Sequence, residues 1–135
     1  MNRHRYLLAY MSGVLLPTWF MLLLLAGFVC NQTFGIVRYP VERMIPFPMA
    51  LVPNLWGLWN LLYLVLGLKR RMTLGAWGAL LAFILVPSAV ALQRLFGIVL
   101  LTPLQTALAL PLVAGFYYLV WKHIVGYLNA VAGVD

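Results

Sequence analysis

Long apolar stretches separated by short polar or charged segments dominate this chain. The longest, residues 73–121, contains one charged residue, Arg94. The hydrocarbon core of a bilayer, about 30 Å thick, requires about 20 residues of helix. The polar breaks therefore predict four spans, at about residues 7–30, 47–68, 73–92 and 100–121. These stretches are continuous and Leu-rich, without strict alternation of apolar and polar residues, which favours helices over the strands of a closed barrel.

Composition supports lipid as the solvent for most of the chain. Hydrophobic residues make up 65% of its 135 residues and charged residues 8%. A chain of this size cannot bury so much apolar surface within a globule of its own. With short connections between spans, we expect an all-α integral membrane protein, built as one transmembrane domain over residues 1–135. Its predicted architecture is an antiparallel four-transmembrane-helix bundle.

Lys and Arg are unevenly distributed between the two ends of these spans. The side of a membrane protein with more Lys and Arg is normally cytoplasmic. The chain is therefore predicted to lie in a cytoplasmic (inner) or plasma membrane with both termini on the cytoplasmic side. The net charge of +7 then reflects topology and attraction to anionic head groups, and nucleic-acid binding is not expected. The inner group is Arg3, Arg5, Lys69, Arg70, Arg71 and Lys122, and the outer group is Arg38, Arg43 and Arg94.

The second span has the least typical pattern of polar and aromatic residues. Helical spacing places Trp56, Asn60 and Tyr63 on one stripe, with Asn60 near the middle of the span. An amide in hydrocarbon needs a hydrogen-bond partner, and polar residues of the fourth span are candidates. Either a packing face or a pocket for a lipid-like or isoprenoid ligand would explain the pattern. The candidate set is Asn54, Trp56, Asn60, Tyr63, Gln105 and Thr106.

Small residues mark a candidate packing face on the third span. Gly75 with Ala79, and Gly78 with Ala82, give two overlapping patterns of small residues four positions apart. Such patterns let two helix backbones approach closely. The pattern does not specify whether the partner helix belongs to this chain or to another copy.

A basic group is predicted on the outer side. Arg38, Arg43 and Arg94 share that side with one carboxylate, Glu42, and are candidate contacts for anionic head groups. The alternative is an ion pair between Arg94 and Glu42, with the other arginines extended toward the interface.

The sequence offers few residues suited to catalysis, metal binding or ion-coupled transport. The two acidic residues, Glu42 and Asp135, and the two histidines, His4 and His123, fall outside the predicted spans. Ion-coupled carriers usually place an ionisable group at mid-depth, and metal sites need three or four converging ligands. Cys30 is the single cysteine, so it has no partner within the chain for a disulfide or a paired thiol site. We expect no enzymatic activity, no metal and no cofactor.

Two functions fit these features. The first is a non-catalytic structural or assembly subunit that packs against itself or another membrane protein through small and aromatic residues. The second is a small carrier or channel, or a binding protein for a lipid-like or isoprenoid ligand. After Lys122, residues 124–134 are apolar but too short to span, so they are expected to lie at the interface or to extend the fourth helix.

Overall fold

The computed structural model describes residues 4–35, 47–95, 97 and 102–134, and every regular element in these ranges is helical. The prediction of an all-α protein is confirmed for this part of the chain. The elements are α1 (Arg5–Phe34), α2 (Phe47–Val65), a 3-10 turn (Leu68–Arg70), α3 (Leu74–Leu95), α4 (Pro103–Val120), a π segment (Trp121–Val125) and α5 (Gly126–Val131).

Local sequence explains where several of these helices begin and end. The helix α1 ends at Gly35, whose φ of 61° is left-handed and favours glycine. The helix α4 begins with a capping box, in which the Thr102 hydroxyl accepts from the Gln105 backbone N–H and the Gln105 side chain accepts from the Thr102 N–H. Pro103 follows in the first turn, where its missing N–H does no harm.

Three helical stretches are long and apolar enough to cross a membrane: Arg5–Phe34, Leu74–Leu92 and Pro103–Val131. Leu51–Val65 in α2 is apolar but shorter. This result is compatible with a helical membrane protein. The third stretch also shows that the helix does not end at Trp121, because it continues through the π segment and α5.

Helices α1 and α2 pack closely, as do α3 and α4, and fewer contacts join the two pairs. The two ends of the described chain meet, since Nε of Arg5 donates to the Val134 carbonyl oxygen at 3.0 Å. The hydrophobic core joins both pairs around Trp56, Leu81 and Trp121.

Burial is concentrated at one end of the bundle. This packed half consists of residues 5–17, 56–65, 74–82 and 114–134, and it holds all the buried side chains of the described residues. The open half consists of residues 18–34, 51–55, 83–95 and 102–113, and no described side chain within it is buried. The polar residues that could form a site must therefore be sought mainly in the packed half.

Candidate functional site

Asn60 lies in the packed half and is completely buried. Its Nδ2 donates to the Ala9 carbonyl oxygen at 2.7 Å and to Oδ1 of Asn129 at 2.8 Å. In return, Nδ2 of Asn129 donates to Oδ1 of Asn60 at 3.0 Å. Both amide hydrogens of Asn60 and one lone pair of its oxygen are thus engaged within the protein. The pair joins α1, α2 and α5.

The contact between Asn60 and α1 shows where the amide pair lies along the bundle. Ala9 lies in the second turn of α1, one turn after Arg5, so the amide pair sits near one end of the bundle. At this end the chain also carries the Lys69–Arg71 segment and Lys122. The amide pair therefore lies at the end of the bundle that carries these basic residues.

Two tryptophans join α2 to α3 in a reciprocal arrangement. Nε1 of Trp59 donates to the Trp77 carbonyl oxygen at 2.8 Å, and Nε1 of Trp77 donates to the Trp59 carbonyl oxygen at 2.9 Å. The rings stack with centroids 4.2 Å apart and planes 12° apart. One turn along α2, the Tyr63 hydroxyl donates to the Met72 carbonyl oxygen at 2.9 Å. These bonds fix the α2–α3 connection.

Trp56 and Trp121 form the aromatic part of the core. Their ring centroids are 5.3 Å apart, and Tyr117 meets Trp56 edge-on at 5.0 Å. Trp121 begins the π segment and is fully buried. A π turn inserts an extra residue into a helix and changes which residues face a given side, and here the segment is followed by Asn129 facing Asn60.

Gly75 and Gly78 contact helix α4 and the π segment of the same chain. A Cβ atom at Gly75 would lie 2.9 Å from the Tyr118 carbonyl oxygen, and one at Gly78 would overlap the Trp121 side chain. Ala82 is fully buried and Ala79 partly so. The partner of this face, which the sequence left open, is therefore a helix of the same chain.

The other candidate polar residues of α2 and α4 lie apart from Asn60. Asn54 is exposed, and its Oδ1 accepts from the Tyr10 hydroxyl at 2.6 Å. Gln105 caps α4, and the Thr106 hydroxyl donates to the Thr102 carbonyl oxygen at 3.0 Å. Gln105 and Asn129 are 24 positions apart, so a helical rise of about 1.5 Å per residue separates them by about 36 Å. The structure does not bring Gln105 and Thr106 to the stripe of Trp56, Asn60 and Tyr63.

The outer basic group is placed only in part. Arg94 is exposed in the last turn of α3. Arg38, Arg43 and Glu42 lie outside the described residues, so neither the head-group contacts nor the alternative ion pair has a position in the structure.

Asn129 is the polar residue that sequence reasoning missed. It falls in the stretch after Lys122 that was expected at the interface or as an extension of the fourth helix. The available signal was its spacing: Trp121, Val125 and Asn129 recur every fourth residue, and all three are buried. That periodicity indicated a helix with one face in the core.

The residues of the described ranges offer no group of three or more metal ligands. His4 and His123 are both exposed, and Cys30 is exposed near the end of α1. What the site can do is hold helices together through paired amides, indole donors and close glycine contacts. No family model, curated protein or solved structure matches this chain.

Proposed function

We propose that this protein is a non-catalytic structural or assembly subunit of a homo- or hetero-oligomeric membrane complex. In this proposal it is an antiparallel four-span bundle in a cytoplasmic (inner) or plasma membrane, with both termini cytoplasmic. The apolar stretch Leu51–Val65 of α2, which is shorter than the three long apolar stretches, would provide the fourth span by lying beside α1. The inner excess of Lys and Arg supports this orientation.

The observation that carries the assembly role is the contrast between the two halves of the bundle. The packed half has paired polar groups and close helix contacts, whereas the open half has no buried side chain among its described residues. Large side chains such as Trp19 and Phe20 are about 60% exposed there. Lipid can cover such side chains, but it gives no reason for small residues on the same surface.

Helix α1 has small residues of this kind in the open half. Gly27 has no heavy atom within 4 Å of where its Cβ would lie, and the neighbouring Ala26 and Cys30 are exposed. Small residues four positions apart, here Ala26 and Cys30, favour close approach by another helix. We propose that this face of α1 contacts a second copy or a larger membrane protein.

The carrier or channel alternative receives less support from the interior polar groups. Asn60 and Asn129 already satisfy each other, so opening a ligand site there would break bonds inside the packed half. Replacing Asn60 by Leu separates the two roles. A packing role predicts altered stability or assembly, whereas a binding role predicts loss of ligand with an intact bundle.

The assembly proposal is tested by measuring mass after extraction in mild detergent or lipid nanodiscs. We expect an oligomer or a co-purifying membrane protein, and we expect Gly27→Leu to reduce the assembled fraction severalfold. Ala89→Leu, which adds comparable bulk to an exposed position of α3, is the matched control and should leave assembly unchanged. A strict monomer without co-purifying protein, in nanodiscs as well as detergent, would contradict the proposal.

A further inference from the structure

Asn54 presents an incompletely bonded amide on the outer surface of α2. Its side chain is exposed, and its Oδ1 accepts a hydrogen bond from the Tyr10 hydroxyl at 2.6 Å. Among the residues that the structure describes, no group accepts a hydrogen bond from Nδ2 of Asn54. A side-chain amide has two N–H donors and two oxygen lone pairs, so both donors and one lone pair of Asn54 are available for another partner.

The packing of α1 against α2 gives the level of Asn54 along the bundle. The Ala9 carbonyl oxygen is bonded to Asn60. Four positions later in α1, a Cβ atom at Gly13 would lie 2.6 Å from the Trp56 carbonyl oxygen, four positions earlier in α2. The two helices are therefore antiparallel, and Asn54 is level with a point about ten residues, or about 15 Å, beyond the start of α1. With the start of α1 at the cytoplasmic head groups, as in the proposed function, Asn54 lies near the middle of a hydrocarbon core about 30 Å thick.

Lipid cannot satisfy the free donors of Asn54 at this level. Acyl chains carry no hydrogen-bond acceptors, and the ester and phosphate oxygens of phospholipids lie at the two surfaces of the bilayer. An amide without an acceptor in hydrocarbon is unfavourable, and polar side chains on membrane helices usually bond to a neighbouring helix instead. The acceptor for Nδ2 of Asn54 is therefore expected on a helix of another protein chain.

The residues around Asn54 form a regular stripe, which we call the α2 seam. Successive residues of an α-helix are about 100° apart, so Asn54 and Leu58 each lie about 160° around the axis from Trp56, on the side away from the core. Spacings of three and four residues alternate along the stripe, as they do along the contact line of two parallel helices. Four of its five members are exposed and Leu61 is partly buried. The α2 seam consists of Leu51, Asn54, Leu58, Leu61 and Val65.

We propose that the α2 seam binds the α2 seam of a second copy of this chain, across a twofold axis along the membrane normal. In this contact Nδ2 of each Asn54 donates to the free lone pair of Oδ1 in the other copy. The leucines and Val65 of the two seams pack above and below this amide pair. The inference rests on the proposed function for the membrane embedding, and it adds a contact on α2 to the α1 face around Gly27.

A second copy fits Asn54 better than an unrelated partner, because the residue is complementary to itself. It offers both free donors and a free acceptor, and a twofold axis brings the same residue of two copies together. The pair of Asn60 and Asn129 has the same reciprocal bonding within the chain. One polar residue in an otherwise apolar seam also fixes the register of the two helices, since any shift would leave both amides unpaired.

The first test measures self-association of the full chain in liposomes. Copies fused to donor or acceptor fluorescent proteins are mixed over a range of protein-to-lipid ratios, and energy transfer reports the dimer. We expect Asn54→Leu to weaken self-association about tenfold and Asn54→Gln, which keeps the amide, to weaken it less than threefold. Thermal unfolding within a few degrees of the wild-type value shows that each variant keeps its fold.

Tyr10→Phe is the matched control for a role of Asn54 within its own chain. It removes the same intrachain hydrogen bond as Asn54→Leu but leaves the amide in place. We expect self-association within about threefold of the wild-type value. Equal weakening by Tyr10→Phe and Asn54→Leu would show that the intrachain bond is what matters, and it would overturn the contact between copies.

The second test locates the contact by disulfide formation between copies. All variants carry Cys30→Ser, because Cys30 is exposed. Leu58→Cys lies on the α2 seam, where equivalent positions of two parallel helices come close enough for a disulfide, so mild oxidation should give covalent dimers. Leu119→Cys, on an exposed position of α4, is the control and should give few. Efficient crosslinking of Leu119→Cys without that of Leu58→Cys would overturn the proposal.

The outcomes separate this inference from the assembly proposal. Wild-type chains that associate, with Asn54→Leu associating equally well, overturn the α2 contact and leave the assembly role intact. A chain that co-purifies with another membrane protein but shows no energy transfer between copies does the same. A wild-type chain that is monomeric in liposomes, without a co-purifying protein, contradicts the assembly proposal and this inference together.

Discussion

Asn60 and Asn129 form a reciprocal amide pair, with hydrogen bonds of 2.8 and 3.0 Å, inside the packed half of the bundle. Both side chains are buried, and 69 positions of sequence separate them. The pair ties the last helix of the chain to α2, and through the Ala9 carbonyl oxygen to α1. It is thus a buried polar link between elements that are distant in sequence.

Replacing either partner by leucine should destabilise the bundle. Asn129→Leu leaves the Asn60 oxygen without its donor in a site closed to water, which costs about 1–3 kcal/mol. Replacing both residues should cost less than the sum of the two single changes, because no buried amide is then left unsatisfied. Reversible unfolding in mixed micelles measures all three values.

Asn54→Leu is the matched control for this cycle. Asn54 is exposed and accepts a hydrogen bond from the Tyr10 hydroxyl, so its loss should cost less stability and should add independently to Asn129→Leu. Additivity of Asn60→Leu and Asn129→Leu would contradict the coupling.

The need of Asn60 for a partner could be predicted from the sequence, but the identity of that partner could not. A membrane helix is normally expected to end at charged residues, and Lys122 and His123 placed such an end before Asn129. The chain instead continues through a π segment. No residue type is a clear sequence signal for the i→i+5 backbone hydrogen bonds of such a segment. The helical class follows from hydropathy alone, since any apolar stretch in lipid must satisfy its backbone internally.

The glycines of α3 also show which features the sequence predicts and which it does not. Their spacing indicated a surface that another helix could approach, because small side chains leave room for a backbone. Which helix approaches depends on the whole packing arrangement, and Trp121 carries no sequence signal that names Gly78 as its neighbour. Spacing within one helix therefore identifies a face, and pairing of faces requires the three-dimensional structure.

Adding one methyl group at Gly78 should separate α3 from the π segment. A Cβ there would overlap the Cβ and ring of Trp121, which are held in the core and cannot move aside. We expect Gly78→Ala to destabilise the bundle by about 1–3 kcal/mol. Thermal unfolding in detergent, followed by helical circular dichroism, measures the change.

Gly115→Ala is the control for that substitution. A Cβ at Gly115 would meet nothing within 4 Å, so this change should leave stability unaltered or raise it slightly through helix propensity. A Gly78→Ala protein as stable as Gly115→Ala would show that α3 and the π segment are not in close contact.

The stacked indoles of Trp59 and Trp77 should give a specific optical signal. Two parallel rings 4.2 Å apart couple their electronic transitions and produce a paired positive and negative band in circular dichroism. Because Trp56 and Trp121 form a second close pair, Trp59→Phe should reduce this band and not abolish it. The change should also lower stability by about 0.5–1.5 kcal/mol, the net value of one lost hydrogen bond. Trp19→Phe changes an exposed ring in the open half and should leave the band intact. An equal loss of the band in both variants would show that it does not arise from the Trp59–Trp77 pair.

The proposed orientation depends on a difference of three positive residues, which is small enough to remove. The inner side carries six Lys or Arg residues and the outer side three, and Lys69, Arg70 and Arg71 account for half of the inner group. Replacing these three by Gln leaves three positive residues on each side, so the charge asymmetry that retains the inner loops no longer favours one orientation. A fluorescent protein fused after the C-terminus should be uniformly cytoplasmic in the wild-type chain and divided between the two sides in the triple variant.

Replacing Arg94 by Gln is the control for this orientation test. It removes a charge from the outer side and should preserve the wild-type orientation, since it increases the inner excess. Arg5 and Val134 are hydrogen-bonded to each other at one end of the bundle, so a reporter at either terminus must report the same side. A wild-type chain whose two termini report opposite sides would contradict both this contact and the even number of spans.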